Sequence, residues 1–488
     1  MKGASLLDHQ PIIGIECHVQ LDTSTKLFCN CEIQEGASPN TAICEVCTGQ
    51  PGALPAINKK AISLGIRAGL ALGCDLQTTS VFARKNYFYP DLPKGYQISQ
   101  FDKPLCTGGH VHAEIDGITQ QFALTRIHLE EDAGKLIHDP SSSRVDWNRA
   151  GRGLAEIVSE PVIRGPREAV AYMRSLHRTM VAAGVCRGDM EKGHMRFDVN
   201  VSVHRPNQPL GTRVEIKNLN SFRFASKAIS EEIQRQIDVL NRGGTIQAHT
   251  RGWTGTHSVP LREKEAAADY RYFPDPDLPR LQIHPEEIES ARAALPACPL
   301  DKHLIDRDRK SIQDWCTRYG LNEATVSKIQ ADAQVAAFFE ACVAAGGLPF
   351  EMANWVQTEF LRALKSTEGQ WALVALQPTH LVELQAHVEN GKLSHTAAKK
   401  VFEALFHHGG DVSSHIQSMG LEQVGDERML QKAVDSVLAQ YPDECQSYRN
   451  GKHKILGFLM GQLMRETRGA ADPSLLKKIL LQALQENS

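Results

Sequence analysis

Alternating apolar and polar residues mark the chain as strand-rich up to about residue 280. In the clearest segment, HMRFDVNVSVH, the polar side of the strand carries Arg196, Asp198 and Asn200. The segment PIIGIECHVQL likewise places Glu16 and His18 together on one side. Strands that are apolar on one face only predict a largely antiparallel sheet with a core on one side. The polar face is then free to line a cleft.

Helical spacing occurs between these strands and dominates the rest of the chain. In the first part, it predicts helices at 58–74, 165–184 and 221–241. From about residue 299 no strand pattern is left, and we predict helices at 323–345, 350–365, 376–389, 393–408, 427–440, 445–469 and 473–486. Six prolines between positions 274 and 299 mark the border. The pattern therefore predicts an α+β domain at 1–298 followed by helical structure.

Length and composition narrow the class of protein. A chain of 488 residues is long enough for two to four domains, each with its own core. The mean hydropathy is −0.31, and no apolar run approaches the ~20 residues that span a bilayer. The N-terminus has neither the basic and apolar pattern of a secretory signal nor an Arg-rich transit sequence. We therefore expect a cytoplasmic protein, in which clustered cysteines bind metal more often than they form disulfides.

Four of the twelve cysteines lie close together, in LFCNCEIQEGASPNTAICEVCTG. Cys29 with Cys31, and Cys44 with Cys47, supply two pairs of thiol ligands, as a tetrahedral Zn²⁺ site requires. The alternative is a set of buried or free thiols. No Lys or Arg lies between Cys29 and Cys47, which disfavours a phosphate-binding finger. Because four thiolates leave no open position for water, we predict a structural zinc site at 29–47.

Acidic residues and one histidine recur at polar strand positions. Glu16 and His18 are two residues apart, so both side chains project from one face of their strand. If other carboxylates converge there, the oxygen-rich site suits Mg²⁺ and hence nucleotide phosphates. The further candidates are Glu130, Glu131, Asp132, Glu156 and Asp198. The alternative interpretation is a set of solvated strand faces, and the residues alone leave both open.

The sequence contains no standard nucleotide-binding motif. Three Gly-Lys pairs, in EDAGKL, NGKLS and NGKHK, lack the hydroxyl residue that follows the lysine of a P-loop. The segment GVCRG has the form of a nucleophile elbow around Cys186, which would make the chain a free-standing cysteine glutaminase. That elbow requires a strand before the nucleophile, whereas a predicted helix runs into Gly184. Gly184 then suits a helix C-cap without any chemistry.

Basic residues concentrate near the C-terminus, although the whole chain has a net charge of −3. Between positions 447 and 478, seven basic residues face only two acidic ones. The basic residues are Arg449, Lys452, Lys454, Arg465, Arg468, Lys477 and Lys478. Leu459 and Leu463 lie at helical spacing and indicate a core face, so one interpretation is a solvated basic rim. The alternative is contact with RNA phosphates.

Eight sequence blocks resemble GatB, the B-subunit family of the tRNA-dependent amidotransferases. In chain order, they are IGIECHVQL, RKNYFYPDLPKGYQISQFD, RIHLEEDAGK, LAEIVSEPVI, MRFDVNVSV, EIKNLNSF, REKEAAADYRYFPDPDLP and GKHKILGFLMGQLM. The resemblance implies a cradle-shaped catalytic α+β domain at 1–298, a helical domain at 299–415 and a YqeY-like helical tail at 416–488. It also implies that the tail binds tRNA, through Arg449, Lys452, Lys454, Arg465 and Arg468.

The resemblance further implies a reaction. In this family ATP phosphorylates the side-chain carboxylate of Glu on tRNA(Gln) or of Asp on tRNA(Asn), and ammonia then displaces the phosphate. Mg²⁺ on the ATP oxygens neutralises the developing charge, so acidic ligands are needed and a protein nucleophile is not. The chain has no amidase signature, so the ammonia is expected from a partner, the family's A protein, and the family's small C protein completes the complex. The rival hypothesis is a non-catalytic scaffold that presents tRNA to a separate enzyme.

Motif matching to the family assigns roles to individual residues. The metal and transfer site is matched by Glu16, His18, Glu131, Glu156 and Asp198. Of these, Glu16, His18 and Glu131 are assigned to catalysis. His18, Glu131, Glu156 and Asp198 are assigned to Mg²⁺. Lys85 and Lys94 fall where the family lines its ammonia route. The four cysteines occur in some members only, so zinc is expected to stabilise a loop after the Glu16 and His18 strand rather than to take part in the reaction.

Overall fold

The computed structural model describes residues 9–139, 141–219, 221–263, 267–367, 370–421, 427–449, 452–453, 455–467 and 473–486. It divides into two compact units, Met1–Arg307 and Asp308–Ser488. Its hydrophobic residues form three cores, which lie within 13–304, 321–416 and 430–484. The predicted domain borders at 298 and 415 stay predictions. Among the described residues, no helix has both the length and the apolarity needed to cross a membrane.

The described strands all lie in the first unit. They are β1 (Gln10–Gln20), β2 (Asp75–Leu76), β3 (Thr79–Ser80), β4 (Phe82–Asn86), β5 (Tyr96–Gln100), β6 (Cys106–Thr107), β7 (His110–Ile115), β8 (Ile118–Glu131), β9 (Lys135–Asp139), β10 (Ser142–Asp146), β11 (Gly153–Ser159), β12 (Met195–His204), β13 (Val214–Leu219), β14 (His249–Trp253), β15 (Ser258–Glu263), β16 (Phe273–Pro274) and β17 (Leu281–Gln282). Ten of them form one sheet in the order β15-β14-β13-β12-β1-β11-β8-β6-β2, with β7 paired to β8. The pairs from β12 through β1 and β11 to β8 are antiparallel, whereas β13 and β14 are parallel. The predicted α+β class with a largely antiparallel sheet is confirmed.

Helices cover the apolar face of this sheet. They are α1 (Lys59–Ala71), α2 (Pro166–Ala182) and α3 (Phe222–Asn241). After them in the chain come α4 (Pro285–Ala293), which packs on α1, and α5 (Leu300–Tyr319). Each of the three predicted helices begins one residue later than expected, because Asn58, Gly165 and Ser221 are the N-cap residues. The Asn58 side chain accepts hydrogen bonds from two backbone N–H groups, and Ser221 accepts one from Phe224.

The core of the first unit lies between these helices and the sheet. Ile13, Ile15 and Cys17 of β1 are fully or almost fully buried, as the alternating pattern predicts. They join Tyr172 of α2 and Ile229 of α3 in one hydrophobic cluster. Since successive strand residues point to opposite faces, burial of the odd-numbered residues leaves the even-numbered ones on the far side of the sheet. That far side carries the candidate site.

The described part of the second unit is helical. Its helices after α5 are α6 (Glu323–Gln330), α7 (Ala333–Ala344), α8 (Pro349–Trp355), α9 (Leu361–Ser366), α10 (Pro378–Glu389), α11 (His395–His408), α12 (Val412–Ser418), α13 (Glu427–Gln440), α14 (Pro442–Arg449), α15 (Ile455–Glu466) and α16 (Pro473–Glu486). A π-helical turn at Val356–Phe360 joins α8 to α9. The last four helices pack around their own core, which includes Leu430, Leu459 and Leu480.

Two predicted helices are interrupted in the structure. The prediction of one helix at 323–345 is wrong, because α6 ends at Gln330 and Asp332 caps α7 by accepting hydrogen bonds from the Gln334 and Val335 N–H groups. The prediction of one helix at 445–469 is also wrong, since Lys452 and His453 are not helical and separate α14 from α15. At Asp332 a local turn signal outweighs the helical spacing.

Candidate active site

The polar face of the large sheet forms one wall of a cavity of about 850 Å³. Five neighbouring strands, β13, β12, β1, β11 and β8, contribute side chains to it. Since adjacent strands lie ≈ 4.8 Å apart, the wall extends roughly 19 Å from β13 to β8. Its charged lining includes Glu16, His18, Lys85, Arg126, Glu130, Asp132, Glu156, Arg196, Asp198, Arg213, Glu215 and Lys217. The solvated-face alternative therefore does not describe these residues, which line a cleft.

Strand register aligns the polar residues in the middle of the wall. His18 of β1 lies directly opposite Arg196 of β12 on one side and Glu156 of β11 on the other. Glu156 in turn lies opposite His128 of β8. Side chains at such positions are neighbours, with Cβ atoms about 5 Å apart. The register therefore places four ionisable groups in one row across four strands.

Glu130, two residues after His128 on β8, joins His18 and Glu156 of this row. The His18 Nε2 atom lies 3.5 Å from a Glu130 carboxylate oxygen and 3.8 Å from one of Glu156. Each of the three residues offers a ligand atom, and these atoms all lie within 4.8 Å of one another. The two carboxylates supply the oxygen ligands that suit Mg²⁺, a hard cation that retains some of its water, whereas imidazole is a more usual ligand of Zn²⁺ or Fe²⁺. The carboxylate pair therefore fits Mg²⁺ through its oxygen atoms.

His128 contacts the carboxylates of both Glu130 and Glu156. Its Nε2 atom lies 3.1 Å from Glu156 and 3.8 Å from Glu130. Burial disfavours the charged imidazole, but the two carboxylates outweigh burial and raise the pKa of His128 to about 9. Burial alone would raise the pKa of Glu156, but His128 and His18 lower it well below its usual range. The ionised form of Glu156 is the form that binds a cation.

A second group of charges occupies the β12 and β13 end of the cavity. Asp198 forms an ion pair with Lys217 at 2.5 Å, and Lys217 lies 3.6 Å from Glu215. The Asn200 amide donates a hydrogen bond of 3.0 Å to Glu16. Burial would lower the pKa of Lys217, but Asp198 and Glu215 raise it above its usual value. This end thus presents an ammonium group held among carboxylates, next to Arg213 in the lining.

Glu131 does not join the His18, Glu130 and Glu156 group. Its carboxylate accepts a hydrogen bond of 2.9 Å from the Ile98 N–H and forms an ion pair with Lys94. The reason is the strand geometry of β8, because Glu130 and Glu131 are adjacent and must point to opposite faces. Asp198 also lies outside that group and is paired with Lys217.

Glu130 was one of the carboxylate candidates for Mg²⁺, but motif matching assigned Glu131 in its place, and His128 was not assigned to the site at all. A signal for both was present, since Arg126, His128 and Glu130 alternate with Ile127 and Leu129. The phase of that alternation selects Glu130, and not Glu131, for the polar face.

The two predicted ammonia-route lysines have different surroundings. Lys85 lines the cavity, with its Nζ atom 4.7 Å from the centre of the Tyr270 ring and 5.8 Å from that of Tyr87. Lys94 pairs with Glu131, and its Nζ atom lies 5.4 Å from the centre of the Tyr96 ring. The structure therefore brings Lys85, but not Lys94, to the cavity wall.

The four clustered cysteines come together as predicted. Ligand sulfur atoms of Cys29, Cys31, Cys44 and Cys47 all lie within 4.8 Å of one another, which fits a tetrahedral zinc site. The fully buried Lys26 directs its Nζ atom at the Cys47 sulfur, 3.5 Å away. A hydrogen bond from Cys29 and the charge of Lys26 are among the causes that lower the pKa of Cys47 to about 4. Zinc binding itself stays a prediction.

We expect one zinc ion per chain at these cysteines. Replacement of a ligand, Cys44→Ser, should remove the zinc and lower the melting temperature, because the energy of binding a structural metal is also folding energy. Elemental analysis and thermal unfolding measure the two effects. The exposed Cys298 provides the matched control, and Cys298→Ser should keep both zinc and stability. Zinc-free native protein with all four thiols open to alkylation would contradict the prediction.

The structure gives no support to a cysteine nucleophile at position 186. Cys186 is buried, and it follows helix α2 rather than a strand. Burial raises the pKa of its thiol to about 12, so the thiol is protonated at neutral pH. The neighbouring Gly184 has φ +63° and a backbone N–H bonded to the Val181 carbonyl, as expected of a residue that ends a helix.

The predicted tRNA-binding residues are described only in part. Lys452 and Arg465 are exposed. Lys454 and Arg468 lie outside the described residues, as does the Arg449 side chain. Lys477 and Lys478, on α16, are exposed as well. These exposed side chains are accessible to a phosphate backbone.

Comparison with known proteins gives matches along nearly the whole chain. Residues 11–289 match the family model of the GatB/GatE catalytic domain, and residues 337–484 match that of the GatB domain. A protein of Persephonella marina is 45% identical over 98% of this chain and 100% of its own length. Proteins of Syntrophotalea carbinolica and Geobacter sulfurreducens are each 44% identical over 98% of this chain, and over 98% and 100% of their own lengths. All three are named as the B subunit of an aspartyl/glutamyl-tRNA(Asn/Gln) amidotransferase.

Proposed function

Because this chain belongs to the GatB/GatE family, we propose that it is the B subunit of an aspartyl/glutamyl-tRNA(Asn/Gln) amidotransferase. The reaction is ATP-dependent phosphorylation of the side-chain carboxylate of Glu on tRNA(Gln), of Asp on tRNA(Asn), or of both. Ammonia then displaces phosphate from the acyl phosphate and gives the amide. The observation that carries this proposal is the convergence of His18, Glu130 and Glu156 in a charged cavity of about 850 Å³.

The three converging residues would hold Mg²⁺. When bound, this ion neutralises charge that develops on phosphate oxygens during phosphoryl transfer. His128, on the neighbouring strand β8, orients the Glu156 carboxylate at a distance of 3.1 Å. The Glu130 carboxylate is buried and that of Glu156 is half-buried. In this proposal Glu130 is therefore the Mg²⁺ ligand on β8, a role that motif matching had assigned to Glu131.

The other charged groups of the cavity have complementary tasks. Lys217 and Arg213 supply positive charge for phosphate oxygens, and the ion pair with Asp198 holds the Lys217 ammonium group in place. Lys85 lies near enough to Glu156 to lower its pKa. It is thus placed to attract the carboxylate that becomes phosphorylated.

Ammonia is proposed to come from a partner amidase, the family's A protein, in a complex that also contains the small C protein. Lys85 and Lys94 would border its route into the cavity. The buried Glu131 carboxylate forms an ion pair with the half-buried Lys94, so the two side chains form a fixed charged pair on that route. The zinc site at 29–47 is structural in this proposal, since four thiolates leave no open coordination position.

The test of this function is an assay of the purified complex with ATP, glutamine and each misacylated tRNA. We expect Gln-tRNA(Gln), Asn-tRNA(Asn) or both, and ATP hydrolysis that rises when the misacylated tRNA is added. A non-catalytic scaffold would instead bind tRNA without either activity. The absence of ATP hydrolysis and of amidated tRNA from an intact complex would refute the proposal in favour of that scaffold.

A further inference from the structure

Four aromatic rings form a continuous row along the cavity. They are the rings of Tyr87, Tyr270, Tyr272 and Phe101, all in the cavity lining. The first two contacts are edge-on, with ring centres 6.0 Å and 6.1 Å apart. The last is different, because Phe101 and Tyr272 are parallel within 5° and their centres are only 4.2 Å apart. The proposed function assigns no role to this stacked pair.

Phe101 ends the row as an exposed ring. Its exposed fraction is 40%, although phenylalanine is among the residues most often fully buried. Its chain segment is held in place, since Arg126 of β8 donates a hydrogen bond of 2.9 Å to the Phe101 carbonyl oxygen. A parallel pair of rings with an accessible end offers a flat apolar surface to a further ring. The stacked pair can therefore bind a planar ligand inside a polar cavity.

Arg126 relates this surface to the residues proposed to bind Mg²⁺. Arg126, His128 and Glu130 lie on one face of β8, because they are two residues apart. Four residues of strand separate Arg126 from Glu130 by about 13 Å. The stacked pair and the carboxylate site therefore lie at different points of one cavity, and Arg126 adds positive charge between them. A ligand made of a base, a ribose and a short acyl chain is long enough to reach from the stacked pair to the carboxylate site.

We propose that the Phe101 and Tyr272 pair is a stacking platform for an adenine base. The inference rests on the proposed function, because both substrates of that reaction, ATP and the tRNA 3′ end, carry an adenosine. Proteins bind the bases of single-stranded nucleic acids by stacking them on aromatic side chains. The platform holds the base while the reacting carboxylate or phosphate lies toward His18, Glu130 and Glu156. Phe101 and Tyr272 are binding residues in this arrangement and take no part in bond making.

The experiment is a thermodynamic cycle between Phe101 and the terminal nucleotide of tRNA. Binding of uncharged tRNA, with and without its 3′-terminal adenosine, is measured on the complete complex with wild-type chain and with Phe101→Leu. Stacking on an aromatic side chain contributes ≈ 1–3 kcal/mol per base, so if the platform holds the tRNA base, either change alone should weaken binding about 5- to 150-fold. The two changes together should weaken binding no further than one of them. A second arm measures ATP affinity for the same two forms of the complex.

The two arms identify the source of the adenine. Non-additive losses in the tRNA arm assign the platform to the tRNA 3′ end, whereas a loss of ATP affinity alone assigns it to ATP. Phe101→Trp, which keeps an aromatic face, should preserve the affected affinity and so exclude misfolding as the cause. As a control, Phe350→Leu removes a ring that is 64% exposed in the second unit and should change neither arm.

Unchanged affinity of Phe101→Leu in both arms would overturn the platform. That result is distinct from failure of the proposed function, which would appear as a wild-type complex without amidated tRNA. The binding cycle needs no turnover, so each proposal can fail while the other stands.

Discussion

Glu156→Gln is expected to lower the formation of Gln-tRNA or Asn-tRNA about a thousandfold, while glutamine hydrolysis by the partner amidase continues. The amide keeps the size of the side chain but removes the negative charge that faces His18 and His128 at 3.8 and 3.1 Å. Loss of a metal ligand from a phosphoryl-transfer site costs several kcal/mol of transition-state stabilisation. Both activities are measured on the same purified complex, with amidated tRNA as one product and glutamate as the other.

Comparison of Glu130→Gln with Glu131→Gln decides between the structure and the sequence-based assignment. Glu130→Gln should behave like Glu156→Gln and require more Mg²⁺, because Glu130 lies in the converging group. Glu131→Gln should leave the Mg²⁺ dependence unchanged, since its carboxylate bonds Lys94 and the Ile98 N–H. Glu191→Gln, at an exposed position outside the cavity lining, is the control. Near-normal amidation by both Glu130→Gln and Glu156→Gln would show that the metal lies elsewhere.

Charge reversal in the C-terminal helices should weaken tRNA binding by a large factor. The variant replaces the four exposed basic residues Lys452, Arg465, Lys477 and Lys478 by Glu. For each phosphate contact that is lost, one counterion fewer is released when tRNA binds. The slope of log affinity against log salt should therefore become shallower by roughly 0.7 to 0.9 per contact. Filter binding of tRNA at several salt concentrations measures both the affinity and the slope.

The control for this prediction uses the separate cores of the second unit. Truncation after Leu421 removes the helices that form the core at 430–484 but leaves the core at 321–416. The truncated complex should lose tRNA affinity to a similar extent, while glutamine hydrolysis persists. An unchanged affinity and salt slope in both variants would mean that the basic residues are a solvated rim.

Local patterns determined much of this protein. The alternation in HMRFDVNVSVH placed Asp198 on a polar face, and the structure puts it in the cavity wall. The spacing of Cys29, Cys31, Cys44 and Cys47 predicted their convergence, because four ligands within one short segment need no distant partner to meet. The starts of α1 and α3 were predicted to within one residue, since the N-caps Asn58 and Ser221 depend on their immediate neighbours. Such features are properties of a few consecutive residues.

Only the tertiary structure decided which side chains meet in the cavity. His18 and Glu156 are far apart in sequence, and they become neighbours because β1 pairs with β11 in one particular register. A second pairing, of β11 with β8, brings His128 and Glu130 to the same place. A shift of one residue in either pairing would point every side chain of that strand to the opposite face. Register depends on contacts between distant segments, so the alternating pattern defines the polar faces but only the assembled sheet defines the site.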